Sequence, residues 1–440
     1  MSRGFYIVMA AQFFSSLADN ALLIAAISLL RDIHAPEWMT PLLKLFFFVS
    51  YVLLAAFVGA FADSMPKGRV MLVTNGLKVV GALMMLVSVH PLVAYAVVGI
   101  GAAAYSPAKY GIVTEMLPPS KLVAANGWIE GLTVGSIILG FVVGGILVSP
   151  QVGQALLDIQ VPFIDTDIDR VGEAAIAVIA GIYALAALIN LAIPDTGARY
   201  ARQEHSVGRL VRDFGHCARV LWTDHLGQIS LAVTTLFWGA GATLQFIVLK
   251  WSEQALGLTL SQGAILQAVV AVGVAAGAVF AAARVSLKAS LSVLPVGIAM
   301  GVTVTVLAFC NFRALGDGGL GFLGHTLRWS EIAAGTMMLA IGAMAGYFVV
   351  PMNALLQHRG YVLLSAGHSI AVQNFNENLS ILAMLGVYSA LIGLALSIKT
   401  ITVVFGLFVS VSMALVLLRH RYNQRRHDDL ALIGEAPHHE

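Results

Sequence analysis

The chain has 440 residues, 59% of them hydrophobic and 11% charged, and its mean hydropathy is +0.87. A soluble domain carries roughly a quarter charged residues, so these proportions exclude a soluble protein and require an integral membrane one. A net charge of +2, with no basic patch interleaved with aromatics, excludes a nucleic-acid partner.

A helix that crosses a bilayer needs about 20 mostly apolar residues. By that rule the chain is an all-α membrane protein with twelve transmembrane helices: 5–30, 41–62, 70–88, 91–113, 124–148, 172–193, 226–250, 262–283, 289–311, 332–356, 366–395 and 398–419. The first carries Asp19 and is followed by eleven more, so it reads as a retained helix and not as a signal peptide. Tight turns are expected at Pro91 and near Ser397–Lys399, where spans follow one another closely.

Pro194 ends the sixth span, and a polar, basic stretch follows to Arg219, read as a partly amphipathic helix in a linker. The expected organisation is an N-terminal six-helix bundle at 1–193, a linker at 194–225, a second six-helix bundle at 226–419 and a tail at 420–440. Lys67, Arg69, Arg199, Arg209, Arg212, Arg219, Arg419, Arg421, Arg425 and Arg426 all fall on one side under this topology. The opposite side holds fewer: Arg31, Lys44, Arg170, Lys250, Arg313, Arg328 and Lys399. The surplus puts both termini, the linker and the tail in the cytoplasm. The outer loop at 149–171 carries Asp158, Asp165, Asp167 and Asp169. It reads as solvated, because the Gly-punctuated ligand spacing of a calcium loop is missing.

Five ionisable residues fall inside spans: Asp19, Lys78, Lys109, Glu130 and Glu377. Facing lipid, each would cost about 2.5–3.5 kcal/mol or more, so they must face inward and meet one another or a substrate. Asp19 lies in the outer half of its helix. Lys109 and Glu130 fall at similar depth on consecutive antiparallel helices, which suits an internal ion pair and a substrate contact equally. Glu377 lies near mid-membrane among Gln373, Asn374, Asn376 and Asn378, a polar density that packing does not explain. Lys78 lies in the inner half, where its stem could also carry the amine to the interface. In the seventh span, Trp238 beside Gly239 and Gly241 could line an apolar wall.

Two stretches repeat a pattern: Ser106-Pro107-Ala108-Lys109 and Val350-Pro351-Met352-Asn353. Each puts a proline two residues before a polar side chain, and each is followed by a carboxylate in the next span, Glu130 and Glu377. Matching halves with a polar site between them is the layout of a parallel-repeat transporter. No Ser/His/Asp arrangement, HExxH string or phosphate-gripping loop is present, so neither an enzyme nor a nucleotide or metal cofactor is implied.

The loop after the second span reads Gly59-Ala60-Phe61-Ala62-Asp63-Ser64-Met65-Pro66-Lys67-Gly68-Arg69. It resembles the signature loop of the major facilitator superfamily, with two extra residues between Asp63 and Gly68. Gly59, Asp63, Gly68 and Arg69 are read as gating residues, an acid and a base at helix ends forming a latch that breaks as the halves rock. Within that superfamily the chain resembles the bacterial lysophospholipid transporters. The resemblance rests on Ala18-Asp19-Asn20-Ala21, Tyr105-Ser106-Pro107-Ala108-Lys109-Tyr110-Gly111, Phe237-Trp238-Gly239, Val350-Pro351-Met352-Asn353-Ala354 and Gln373-Asn374.

The resemblance implies the major facilitator fold. It implies a flippase of the bacterial inner membrane that moves lysophosphatidylethanolamine and lysophosphatidylglycerol from the outer to the inner leaflet. There a lysophospholipid acyltransferase/acyl-carrier-protein synthetase would re-acylate them. Asp19, Glu130 and Glu377 could receive the ammonium, and Lys109, Lys78 or Lys250 the phosphate. Asn20, Tyr105, Asn353, Gln373 and Asn374 complete the substrate-facing set. Relatives tend to carry an arginine where this chain has Gln245; Lys250, five residues on, points about 140° away round the helix. The alternative within the superfamily is proton-coupled efflux of amphipathic drugs, with Asp19 and Glu377 as proton carriers.

Overall fold

Lipid offers a peptide group no hydrogen-bond partner, so each spanning segment must close its own backbone bonds as a helix. The computed structural model describes residues 2–36, 39–158, 168–200, 206–258, 260–315, 318–322, 325–426 and 429–434. Asp165 and Asp167 of the acidic loop lie outside the described residues. The helices in chain order are α1 (Arg3–Asp32), α2 (Thr40–Leu53), α3 (Ala55–Asp63), α4 (Lys67–Leu86), α5 (Pro91–Met116), α6 (Leu122–Leu147), α7 (Pro150–Leu157) and α8 (Val171–Asn190). They continue as α9 (Val207–Thr223), α10 (His225–Trp251), α11 (Leu260–Arg284), α12 (Leu294–Leu307), α13 (Trp329–Leu363), α14 (Ala366–Gly393) and α15 (Ile398–Gln424).

Among the described residues eleven helices are long and apolar enough to cross a membrane, and α2 with α3 makes a twelfth span bent by 66°. The second span is therefore not one straight helix. The bend falls at Leu54, whose carbonyl takes the amides of both Phe57 and Val58, so the ladder tightens and turns there. Pro107 in α5 and Pro351 in α13 sit inside continuous helices. The two expected tight turns are present: Ser88 takes φ +62° three residues before Pro91, and Ala395 takes φ +55° before the Ser397 cap of α15. Sequence patterning did not anticipate α7 or the antiparallel hairpin of β1 (Gly319–Phe322) with β2 (His325–Arg328).

The chain divides into two compact units. Residues 1–118, 135–220 and 360–375 form the first, where α4 packs on α5 and α8, α1 on α8 and α5, and α2 on α5. Its core gathers Ala18, Ala21, Leu22, Ala25 and Ala26 of α1 with Ile176, Ile179 and Tyr183 of α8. Small residues permit this closeness: a Cβ on Gly140 would stand 2.7 Å from the Leu17 carbonyl. Residues 119–134, 221–359 and 376–440 form the second unit, where α12 packs on α15 and α10 on α15 and α11. There α11 meets α13 backbone to backbone along Gly273, Gly277, Gly342 and Gly346. In lipid such seams replace the hydrophobic drive that helices have in water. Large apolar side chains such as Leu188, Val279 and Leu415 stay exposed on the outer faces, where lipid would meet them.

Candidate substrate site

The first polar centre lies mid-span in the first unit. Ser15 and Asp19 stand one turn apart on α1, and Asn75 and Lys78 one turn apart on α4. Lys78 is 1% exposed, so it turns inward and does not snorkel. Its Nζ donates to both carboxylate oxygens of Asp19 at 2.9 Å and to Ser15 Oγ at 3.0 Å. Ser15 in turn donates to Asn75 Oδ1 at 2.7 Å. The Tyr183 hydroxyl of α8 donates to Asp19 Oδ1 at 2.7 Å. Two rings flank the ammonium, with centroids 5.1 Å (Tyr105) and 5.6 Å (Tyr183) from Nζ. The lysine is thus sealed behind its partner, while the Asp19 side chain keeps 19% of its surface open. An open carboxylate edge can take a second donor without giving up the first.

Nearby on α5, Ser106 accepts from Asn374 of α14 at 2.9 Å, both side chains buried. Half-buried Lys109 lies with Nζ 4.1 Å from the centroid of the Tyr110 ring. Asn20 donates to Ser16 of its own helix at 2.8 Å. Gln373 is buried next to Asn374.

The second polar centre belongs to the second unit. Asn353 of α13 donates to Glu130 of α6 at 3.3 Å, both nearly fully buried. One turn away, Asn126 and Gln357 exchange a pair of amide hydrogen bonds at 2.9 and 3.0 Å. Glu377 is buried on α14. Trp238 is half-buried against Phe237, which also meets Phe348 edge to face. Lys250 is exposed and pairs with Glu253 at 2.8 Å, and Gln245 hydrogen-bonds Gln267 on the surface.

The third centre forms round Asp63, where α3 ends and α14 begins. Asp63 accepts from Lys67 and Ser365, from the Gly367 amide at 3.0 Å and from His368 Nδ1 at 2.9 Å. An acid at a helix N-terminus meets free amides and the positive end of the dipole. Gly59 and Gly367 leave room: a Cβ at Gly367 would lie 2.5 Å from the Asp63 carboxylate, and one at Gly59 3.0 Å from the His368 backbone. Lys67 Nζ is also 3.7 Å from Glu115 and 4.7 Å from the Tyr200 ring centroid. Glu115 accepts from Thr196 at 2.6 Å and from the Tyr200 hydroxyl at 2.8 Å, which ties the start of the linker to this end. Burial and the Glu115 charge push the Tyr200 phenol up, so it remains a donor. Gly68 faces Ile193. The base beside Asp63 is Lys67; Arg69 is exposed and acts on Asp195 in the loop.

Sequence reasoning missed Ser15, Asn75, Tyr183, Lys67, Glu115 and His368. For Ser15 and Asn75 a signal existed: each is a polar residue one helical turn from an intramembrane charge. Tyr183 had none, since a tyrosine in an apolar span reads as packing.

Residues 8–384 match the family model described as Major Facilitator Superfamily. The chain belongs to the major facilitator superfamily. It is 40% identical over 399 residues to the lysophospholipid transporter LplT of Yersinia enterocolitica, covering 90% of this chain and 89% of the relative. It is 42% identical over 398 residues to that of Cronobacter sakazakii, covering 90% and 91%. Within the superfamily it belongs to the family of these two relatives. Its fold is also that of the superfamily transporter FucP, solved in the outward conformation, with a TM-score of 0.64 at 16% identity over 95% of this chain and 98% of that one. As a member of the superfamily the protein is a transporter and not an enzyme. The signature loop carries its Asp63 at the start of α14.

Proposed function

We propose that this transporter carries lysophospholipids, moving lysophosphatidylethanolamine and lysophosphatidylglycerol from the outer to the inner leaflet of the bacterial cytoplasmic membrane. The observation that supports this reading is identity of about 40% over 90% of the chain with relatives named for that substrate. The buried centres agree with it. A lysophospholipid headgroup brings a phosphate, often an ammonium, and glycerol oxygens. The first centre offers a carboxylate with an open edge, backed by an ammonium that keeps the pair near neutral. The second offers Glu130 and Asn353, and in the same unit α14 carries the buried Glu377. Asp19, Glu130 and Glu377 take the ammonium; Lys109 faces the phosphate, while Lys78, sealed behind Asp19, holds that carboxylate in place; Asn20, Tyr105, Gln373, Asn374 and Trp238 complete the path.

The halves at 1–193 and 226–419 rock about this path, with the linker, the tail and both termini cytoplasmic. Asp63 with Lys67, beside Gly59 and Gly68, gates the movement, and a lateral opening admits the acyl chain. A lysophospholipid acyltransferase/acyl-carrier-protein synthetase consumes the product. Transport of labelled lysophosphatidylethanolamine beside the diacyl lipid and a cationic dye tests this reading. Movement of the single-chain lipid with little of the others is expected. Dye movement alone, driven by a pH gradient, would instead identify a proton-coupled drug exporter.

A further inference from the structure

The helix α9 crosses no membrane, yet it lies against helices that do. Leu210, Phe214, Cys217 and Leu221 recur at helical spacing and turn toward the protein, with Cys217 and Leu221 fully packed away. Phe214 meets the ring of Phe375 edge-on at 5.3 Å and joins Leu54, Phe61 and Ala371 in one apolar cluster. Phe375 is nine residues into α14, about 14 Å along a spanning helix. That contact sets the middle of α9 against the first third of a spanning helix, within side-chain reach of the bilayer's interfacial region.

The rest of its surface divides in two. At about 100° per residue, Val207, Val211, Gly215 and Trp222 share one arc, next to the packed face. Arg209, Arg212, His216 and Arg219 share the next arc. Val207, Val211 and Trp222 are 62%, 52% and 41% exposed, and the three arginines are exposed too. The acid on this surface is Asp213. A helix with one face on spanning helices, a second apolar and a third basic has the layout of an interfacial helix on an anionic leaflet.

We propose that α9 is a membrane-surface helix whose exposed apolar arc enters the acyl region and whose arginines hold the phosphates of anionic phospholipids. The proposal is independent of what the transporter carries. Its test uses the full chain in vesicles of phosphatidylcholine alone or of an equal mixture with phosphatidylglycerol. In a Cys217→Ala, Cys310→Ser background, an environment-sensitive fluorophore is attached at Val211→Cys or at His216→Cys. Nitroxides on the acyl chains should quench the label at 211 at least about threefold more than the label at 216, and the contrast should grow with phosphatidylglycerol. The triple variant Arg209→Gln, Arg212→Gln, Arg219→Gln should lose that growth, and the matching lysine variant should keep it. Equal quenching of the 211 label by aqueous iodide in both vesicle types would overturn the proposal. So would protection that appears only when an acidic protein is added, which would make α9 a protein-docking helix.

Discussion

Lys78 and Asp19 form the pair on which the substrate reading turns. Both are held by the protein on all sides but one, and removing one partner of a buried pair costs about 3–5 kcal/mol, because the other is left as an unpaired charge. Asp19→Ala and Lys78→Met should therefore each lower the unfolding midpoint in detergent and each abolish transport. The double variant should recover most of the midpoint and none of the transport, since a neutral pair packs but offers nothing to a headgroup. Recovery of transport along with stability would mean that the pair serves only the fold. Cys217 gives a second residue-level expectation. Burial first, then Asp213 and Asp63, pushes its thiol up to about 11. The reactive species is the thiolate, and an ordinary cysteine has a pKa near 8.5, so maleimide labelling of Cys217 near pH 7.5 should be slower by roughly two orders of magnitude. Its rate should climb about tenfold per pH unit up to about 11. Labelling at the rate of a free thiol would contradict the packing of α9.

The α11–α13 seam shows what helices in lipid need from one another. A Cβ at Gly277 would stand 1.9 Å from the Ala343 carbonyl, and one at Gly346 2.0 Å from that of Val274. Backbone cannot yield as a side-chain tip can, so Gly277→Leu should remove folded protein from the membrane. Gly241→Ala, with nothing within 4 Å of the new methyl, should leave expression unchanged; equal yields of the two would refute the seam. The spans themselves were legible in the sequence, because the length of an apolar run is set by bilayer thickness and not by tertiary contacts. The bend at Leu54 was not, since no proline or glycine marks it. The candidate site was legible as a set of intramembrane charges. Their partnering was not, because the same depth suits several partners and only packing chooses. Lys78 reaches Asp19 because both fall near the middle of their helices and its four-carbon stem closes the gap between them, and Lys67 takes the place beside Asp63 that the signature pattern suggested for Arg69.

As a whole molecule, a superfamily transporter must present its polar centres to one side and then the other. The Asp63 cluster gathers α3, α4, α5, α14 and the start of the linker at one end, so it is the natural place for a contact that forms and breaks in each cycle. Asp63→Asn removes a charge from Lys67, from His368 and from the start of α14 together. It should slow transport by an order of magnitude or more while leaving equilibrium binding of a lysophospholipid within about threefold, because no headgroup contact is lost. A matching loss of affinity would place Asp63 in the substrate path instead of the latch. The most direct test of the central claim is albumin back-extraction of labelled lysophosphatidylethanolamine from proteoliposomes, comparing wild type with Asp19→Asn. Wild-type protein should carry a growing fraction of the lipid out of reach of albumin, and the folded variant should match protein-free vesicles. Wild-type protein that protects no more lipid than empty vesicles would contradict the account.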